Sequence, residues 1–286
     1  MSMQATAFFH KPSSTYSYVV ADPVTRHAAV IDPVLDYDAA AARTGTGSAQ
    51  ALVDFLHAGG LTLDWILETH AHADHLSAAQ FLKREAGGQV AIGAGIREVQ
   101  RRFKDIYRLG DGFAADGGEF DHLFRDGEQF RIGSLEARVL ATPGHTSDGV
   151  AYLIGEAAFV GDTLFMPDSG TARCDFPGGD AGELYDSIQK LLALPDGIRL
   201  YMCHDYAAGG REYKNETTVA EEKRNNVHLR AGTLREDYIK LRKERDASLP
   251  VPTLLLPAIQ VNIRAGRLPE PETNGISYLN IPLNKF

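Results

Sequence analysis

The sequence predicts a mixed α/β (α+β) fold built as a two-sheet sandwich. Three observations predict it. Strand-like apolar runs alternate with helical patterns from Tyr16 to Lys104. Residues 119–165 then alternate in a β manner, with turns at Asp126-Gly127, Ile132-Gly133 and Ile154-Gly155. Four apolar runs end on His or Asp, where a strand gives way to a loop. Strand–helix alternation around a β-rich middle suits sheets covered by helices.

The elements follow in order. Tyr16–Val20 and Ala28–Asp32 are apolar runs of strand length. Arg43 to Ser48 is rich in Gly, Thr and Ser and reads as a loop, and Ala49–His57 has helical patterning. Trp65–Thr69 reads as a strand, Leu76–Glu85 as a helix, Val90–Ile92 as a strand and Ile96–Lys104 as a helix. A further helix is expected over Gly182–Leu192. From about Glu216 the chain turns helical and charged through Arg245, then ends in a Pro-rich segment, Leu249 to Phe286, expected to wrap the surface. One domain over 1–286 is expected, with 216–286 as a helical and extended C-terminal extension packed on it. There is no internal repeat or low-complexity tract.

Composition narrows the function classes. A chain of 286 residues is long enough for a sizeable core. The formal net charge of −9 gives no general attraction to nucleic acid or anionic membrane. Two cysteines, Cys174 and Cys203, make no disulfide framework. No apolar run is long enough to span a bilayer. Met1–His10 has no basic region followed by an apolar stretch. A cytoplasmic enzyme is the expectation.

The chemistry concentrates in Thr69-His70-Ala71-His72-Ala73-Asp74-His75, which follows the apolar run Trp65-Ile66-Leu67. Imidazole binds zinc and iron well, and a nearby carboxylate adds charge. His70 and His72 are two apart, so on an extended strand end they point the same way. Three later strand ends add His145 in Thr142-Pro143-Gly144-His145-Thr146, Asp162 in Phe159-Val160-Gly161-Asp162-Thr163, and His204 in Met202-Cys203-His204-Asp205. Binding groups on loops at the ends of rigid strands are a common way to build a site. The spacing suits one metal or two adjacent metals. The alternative is a His-rich surface loop, and four strand ends converging on one donor chemistry argue against it.

The order H-x-H-x-D-H, then His, Asp and His, resembles the metallo-β-lactamase fold superfamily. The resemblance implies a four-layer αββα sandwich with a metal site at one edge. It maps His70, His72 and His145 to one metal position, and Asp74, His75 and His204 to a second, with Asp162 able to bridge. Asp32, in Ala29-Val30-Ile31-Asp32-Pro33, matches an Asp that supports the site from outside the ligand set.

Three further stretches resemble the persulfide dioxygenases, also called sulfur dioxygenases or the ethylmalonic-encephalopathy protein family. They are the loop from Asp162 to Asp180, His204-Asp205-Tyr206, and the tail segments Leu255-Leu256-Pro257 and Gln260-Val261-Asn262-Ile263-Arg264-Ala265-Gly266. The match looks closest to the bacterial group with the longer Asp168-to-Asp175 loop. It implies one Fe(II) per chain, held by His70, His145 and Asp162, with three positions open for substrate sulfur and dioxygen. His72, Asp74, His75 and His204 would then orient these ligands and tune the metal. The implied reaction is iron-centred, with no separate protein nucleophile and no organic cofactor. It oxidises glutathione persulfide with O2 and water to sulfite and glutathione, the substrate's carrier. A homodimer is also implied.

Glutathione carries two carboxylates, so an acidic protein needs local cations to hold it. The candidates on the substrate side are Arg173, Asp175 and Tyr206, with Arg211, Lys214 and Arg264 weaker. Arg173 suits a bidentate contact to a carboxylate of glutathione. It equally suits pinning its own loop by pairing with Asp168 or Asp175. Cys174 reads as a small buried hydrophobe rather than a nucleophile. The second functional reading is a zinc-dependent glutathione thioester hydrolase resembling glyoxalase II, using seven ligands and a bridging hydroxide. A third, a non-catalytic metal module, fits poorly, because a structural zinc site is normally closed by four ligands.

Overall fold

The structure is a computed structural model that describes residues 3–285. Met1 and Ser2, part of the stretch inspected for a leader, and Phe286, the end of the Pro-rich segment, lie outside them.

The elements run β1 (Gln4–His10), β2 (Thr15–Ala21), β3 (His27–Ile31), β4 (Val34–Asp38), β5 (Arg43–Gly45), α1 (Gly47–Ala58), β6 (Thr62–Leu67), β7 (Leu76–Ser77), α2 (Ala79–Ala86), β8 (Gln89–Gly93), α3 (Ile96–Tyr107) and β9 (His122–Phe124). They continue as β10 (Gln129–Ile132), β11 (Leu135–Ala141), β12 (Val150–Ile154), β13 (Ala157–Phe159), α4 (Ala181–Leu192), β14 (Arg199–Tyr201), β15 (Glu216–Thr218), α5 (Val219–Asn225), α6 (Arg235–Asp246) and α7 (Leu255–Asn262). One six-stranded sheet has the order β1-β2-β3-β6-β8-β9, and the other β10-β11-β12-β13-β14-β15. A small sheet, β5-β4-β7, sits beside them.

The sheets are covered on both faces, and the side-chain period of two sorts each strand between layers. In β2, Tyr18 and Val20 face the second sheet, while Val19 faces the helices. In β12, Val150, Tyr152 and Ile154 join the inter-sheet core, and Ala151 packs toward α4. Burying each large aliphatic contributes about 1.5–3 kcal/mol. Helices α1, α2, α3 and α7 cover the first sheet, and α4 and α6 cover the second. The layers are therefore αββα, as expected. Asp180 caps α4, accepting from the backbone N–H groups of Gly182 and Glu183 at 2.8 and 2.9 Å.

Several expectations need correction. Leu76–Glu85 is not one helix: Leu76 and Ser77 pair with Leu35 and Val34, and α2 starts at Ala79. Tertiary pairing wins there, because Oδ1 of Asn262 captures the Ser77 N–H. Arg43–Gly45 is a strand rather than loop, paired with Asp36–Asp38. Asp36 closes that hairpin by accepting from the Ser48 N–H and hydroxyl. Glu216–Thr218 adds a strand to the second sheet before the chain turns helical. The Pro-rich segment does not merely wrap the surface: its α7 buries Leu255, Ala258, Ile259 and Val261. The partly exposed strand β1 went unexpected. Among the described residues, no helix is long and apolar enough to cross a membrane.

Candidate metal centre

The four strand ends converge. His70, His72 and His75 lie in the loop after β6, His145 after β11, Asp162 in a turn after β13, and His204 after β14. All five histidines are buried. The His70 and His72 rings lie 4.0 Å apart between centroids, on a loop rather than on a strand.

Each ring is fixed by a bond on one nitrogen. Nδ1 of His145 donates to the Arg173 carbonyl at 2.7 Å, which leaves Nε2 facing Asp162 Oδ2 at 3.6 Å. His70 Nε2 stands 3.9 Å from the same oxygen, and His204 Nε2 stands 3.4 Å from Asp162 Oδ1. His204 Nε2 is also 3.6 Å from Asp74 Oδ2. His72 turns Nε2 away from the others, onto Asp32 Oδ1 at 3.0 Å. The tautomers follow from this network.

Asp32 is the buried anchor of the loop. It accepts from the Thr69 N–H at 2.7 Å and the Thr69 hydroxyl at 2.9 Å as well as facing His72. Asp148, which the sequence reading passed over, does the same for the next turn, accepting from the Ala71 N–H at 2.8 Å.

Four buried atoms here have no hydrogen-bond partner: His70 Nε2, His72 Nδ1, His75 Nε2 and Asp162 Oδ1. Such atoms cost free energy unless something binds them. The donor atoms of His70, His145 and Asp162 form one group within 4.8 Å of one another, and His72, Asp74 and His75 form another. Burial pushes His70 and His72 well below the usual imidazole range, so both are neutral, the form that binds metal. Burial works against protonation of His204, but Asp162 and Asp74 hold it above the usual value. The residues fit a divalent metal.

A cavity of about 390 Å³ opens over Asp74, His145, Asp162 and His204. Phe165, Phe176 and Tyr206 give it an aromatic wall, and Tyr206 stacks on the His204 ring at 5.9 Å. Arg173 lines it too, but its fork is committed. Nε and Nη2 each donate to Asp175 at 2.6 Å, and Nη1 donates to the Pro250 carbonyl at 2.7 Å. The loop-pinning role is the one the structure displays. Asp175 faces that guanidinium and is not in the cavity wall. Arg264 is not either: it lies over the Phe113 ring at 4.7 Å and donates to the Gln260 carbonyl. A larger hollow of about 570 Å³ lies beside Arg211 and Lys214 and contains none of the metal donors, so chemistry is assigned to the smaller one. Arg211 is paired with Asp168 and Asp205. Burial pushes the Cys174 thiol up to about 12, consistent with a packing role.

The sequence reading missed His228, Arg242 and Arg245, which complete the cavity wall. They sit on or near α6, which carried no signal beyond a charged helix. It also missed Asn262, whose motif was noted without a role.

Comparison with known proteins agrees with this geometry. A family model described as "Metallo-beta-lactamase superfamily" matches residues 10–204. A "Beta-lactamase hydrolase-like protein" of Agrobacterium fabrum is 54% identical over 97% of the chain, which spans 64% of that protein's length. "Glyoxylase B2" of Dictyostelium discoideum is 49% identical, with 95% and 94% of the two chains covered. Human mitochondrial "Persulfide dioxygenase ETHE1" is 30% identical over 90% of this chain and 87% of its own. The crystal structure of ETHE1 from Myxococcus xanthus superposes with a TM-score of 0.73 at 32% identity, covering 93% of this chain and 100% of that one. With the His and Asp donors gathered where the two sheets end, and the family model spanning them, this chain belongs to the metallo-beta-lactamase superfamily.

Proposed function

We propose that the chain is a glutathione-dependent persulfide dioxygenase working with one Fe(II). The observation that carries this reading is the compact group of His70, His145 and Asp162, of which His145 and Asp162 line the cavity. Two imidazoles and a carboxylate are the donor set of non-haem iron oxygenases. The likeness to proteins named persulfide dioxygenase or ETHE1 runs over most of the chain and supports the same reading.

The net reaction is glutathione persulfide plus O2 plus water giving glutathione, sulfite and two protons. The terminal sulfur loses four electrons and O2 gains four. Bound Fe(II) would supply the redox step, bringing dioxygen and the persulfide sulfur together. The chain's own residues do the rest. Arg173, through its carbonyl, fixes the tautomer of His145 and keeps Nε2 free for the metal. Asp32 holds the loop that presents His70. Phe165, Phe176 and Tyr206 give the cavity an aromatic wall beside His145, Asp162 and His204.

A specific observation favours a second reading. His72 Nδ1 and His75 Nε2 are also buried and unpartnered, and a second group with Asp74 could hold a second metal. That would suit a zinc-dependent glutathione thioester hydrolase, in line with the names of the relatives from Agrobacterium and Dictyostelium. Metal analysis of protein grown with both metals separates them. About one iron per chain supports the dioxygenase, and about two zincs per chain supports the hydrolase.

A further inference from the structure

The cavity that holds the metal donors is also lined by His228 and by Arg242 and Arg245 of α6. Three guanidinium groups line it: Arg173, Arg242 and Arg245. Two are already neutralised. Arg173 is held by Asp175. Arg242 is 2% exposed and donates to Asp246 at 2.5 Å and to the Thr171 carbonyl at 2.9 Å. Asp246 also accepts from the Cys174 N–H, so this pair ties α6 to the loop that forms the cavity wall. Arg245 is three residues further along α6, on an adjoining face. Among the described residues its side chain has no ion pair and no hydrogen bond.

His228 adds a second donor. Its Nδ1 accepts from the Thr171 N–H at 3.0 Å and faces Arg242 Nη1 at 3.3 Å. Burial, then Arg242 and Arg245, hold it down to about 4, so the ring is neutral with its proton on Nε2. The ring packs against Gly170, where a Cβ would lie 2.2 Å from Nδ1 and φ is +86°. The buried Nε of Arg242 is likewise an unpartnered donor. This part of the lining therefore carries one uncompensated positive charge, Arg245, in a cavity that also holds Asp74 and Asp162.

We propose that Arg245 is the specificity-determining contact of the cavity: it takes a carboxylate of the substrate whose sulfur lies at the metal donors. This rests on the reading of the substrate as a glutathione derivative. It moves the anchoring role from Arg173, whose fork is occupied, to a residue whose fork is free.

The test is calorimetric titration of the metal-loaded protein with reduced glutathione and with glutathione diethyl ester, which has neither carboxylate charge. Arg245→Gln should weaken glutathione binding about tenfold or more, the effect of losing a charged hydrogen bond. Arg245→Lys should recover part of it, and the ester should bind wild type and variants alike. Metal content and melting temperature should not move, since Arg245 is exposed. In turnover, KM should rise while kcat stays. Equal glutathione affinity in wild type and Arg245→Gln overturns the assignment, as does a wild type that binds no glutathione. Glutathione binding that depends on Arg245, in a protein that consumes no oxygen with persulfide, leaves the subsite standing and removes the dioxygenase reading.

Discussion

Nδ2 of Asn262 donates to the backbone carbonyl of His72 at 2.8 Å. The same amide donates to the His75 carbonyl at 2.8 Å, and its Oδ1 accepts from the Ser77 N–H. A residue of the last helix thus clamps the loop that carries four of the metal-type donors, His70, His72, Asp74 and His75. Gly266 completes the dock: at φ +81° it lies against Ser77, and a Cβ there would come within 2.8 Å of the Ser77 carbonyl. Asn262→Ala should lower stability by roughly 2–4 kcal/mol, since three buried hydrogen bonds go at once. It should also weaken metal binding about 10–100-fold, because the donors lose their frame. Chemical denaturation and competition with a chelator measure the two effects.

The metal donors divide by role. His70→Ala, His145→Ala and Asp162→Ala should each abolish iron binding, because each removes one of three protein ligands. His72→Ala and His204→Ala should keep part of the iron and lose activity about 10–100-fold. Iron content by elemental analysis is the readout, and equal, complete loss in all five variants would contradict a single-iron site.

Arg173 and Asp175 should behave as a pair. Arg173→Lys cannot reproduce the bidentate fork. It and Asp175→Asn should each cost about 1 kcal/mol, and the double variant should cost less than the sum. Glutathione affinity should change little. A large rise in KM for Arg173→Lys at unchanged stability would restore Arg173 as a substrate contact.

Glu222, in α5, is a pH-sensitive weakness. It is wholly buried, with Oε2 accepting from Asn226 and Oε1 unpartnered. Burial raises it from 4.5 to about 8. The folded state then keeps the proton that the unfolded state loses, so its contribution is present below pH 4.5 and is lost as pH rises to 8. Glu222→Gln has no such loss. Its stability relative to wild type should rise by roughly 2–4 kcal/mol between pH 5 and pH 8. Denaturation at both pH values tests this, and a constant difference would contradict it.

The metal donors were legible because the chemistry follows a simple rule: apolar runs end on His or Asp. Apolar runs exposed β2 and β3, since both faces of their sheet are covered, and alternation exposed β11 to β13. The partners of these elements were less legible. Strand β7 exists only because Leu35 and Asn262 reach it from distant positions, and local patterning gave it to a helix. Helix α7 contains Pro257 and has no clear polar face, so it read as irregular although it is core. Arg173 had two open roles in sequence, and a carboxylate two residues away at 2.6 Å decided which one the fold displays. Arg264 drew attention by its charge but packs on Phe113. Arg245 was one more charge on an exposed helix until the cavity wall placed it.

The most direct test of the central claim is oxygen consumption. Purified, iron-loaded protein is given glutathione persulfide and, separately, S-lactoylglutathione, in air and under argon, with sulfite, oxygen and free thiol followed together. One O2 should be consumed per sulfite formed from persulfide, with no sulfite under argon and little thioester cleavage under either atmosphere. Rapid thioester cleavage that is indifferent to oxygen, with no oxygen uptake on persulfide, would contradict it and make the protein a hydrolase.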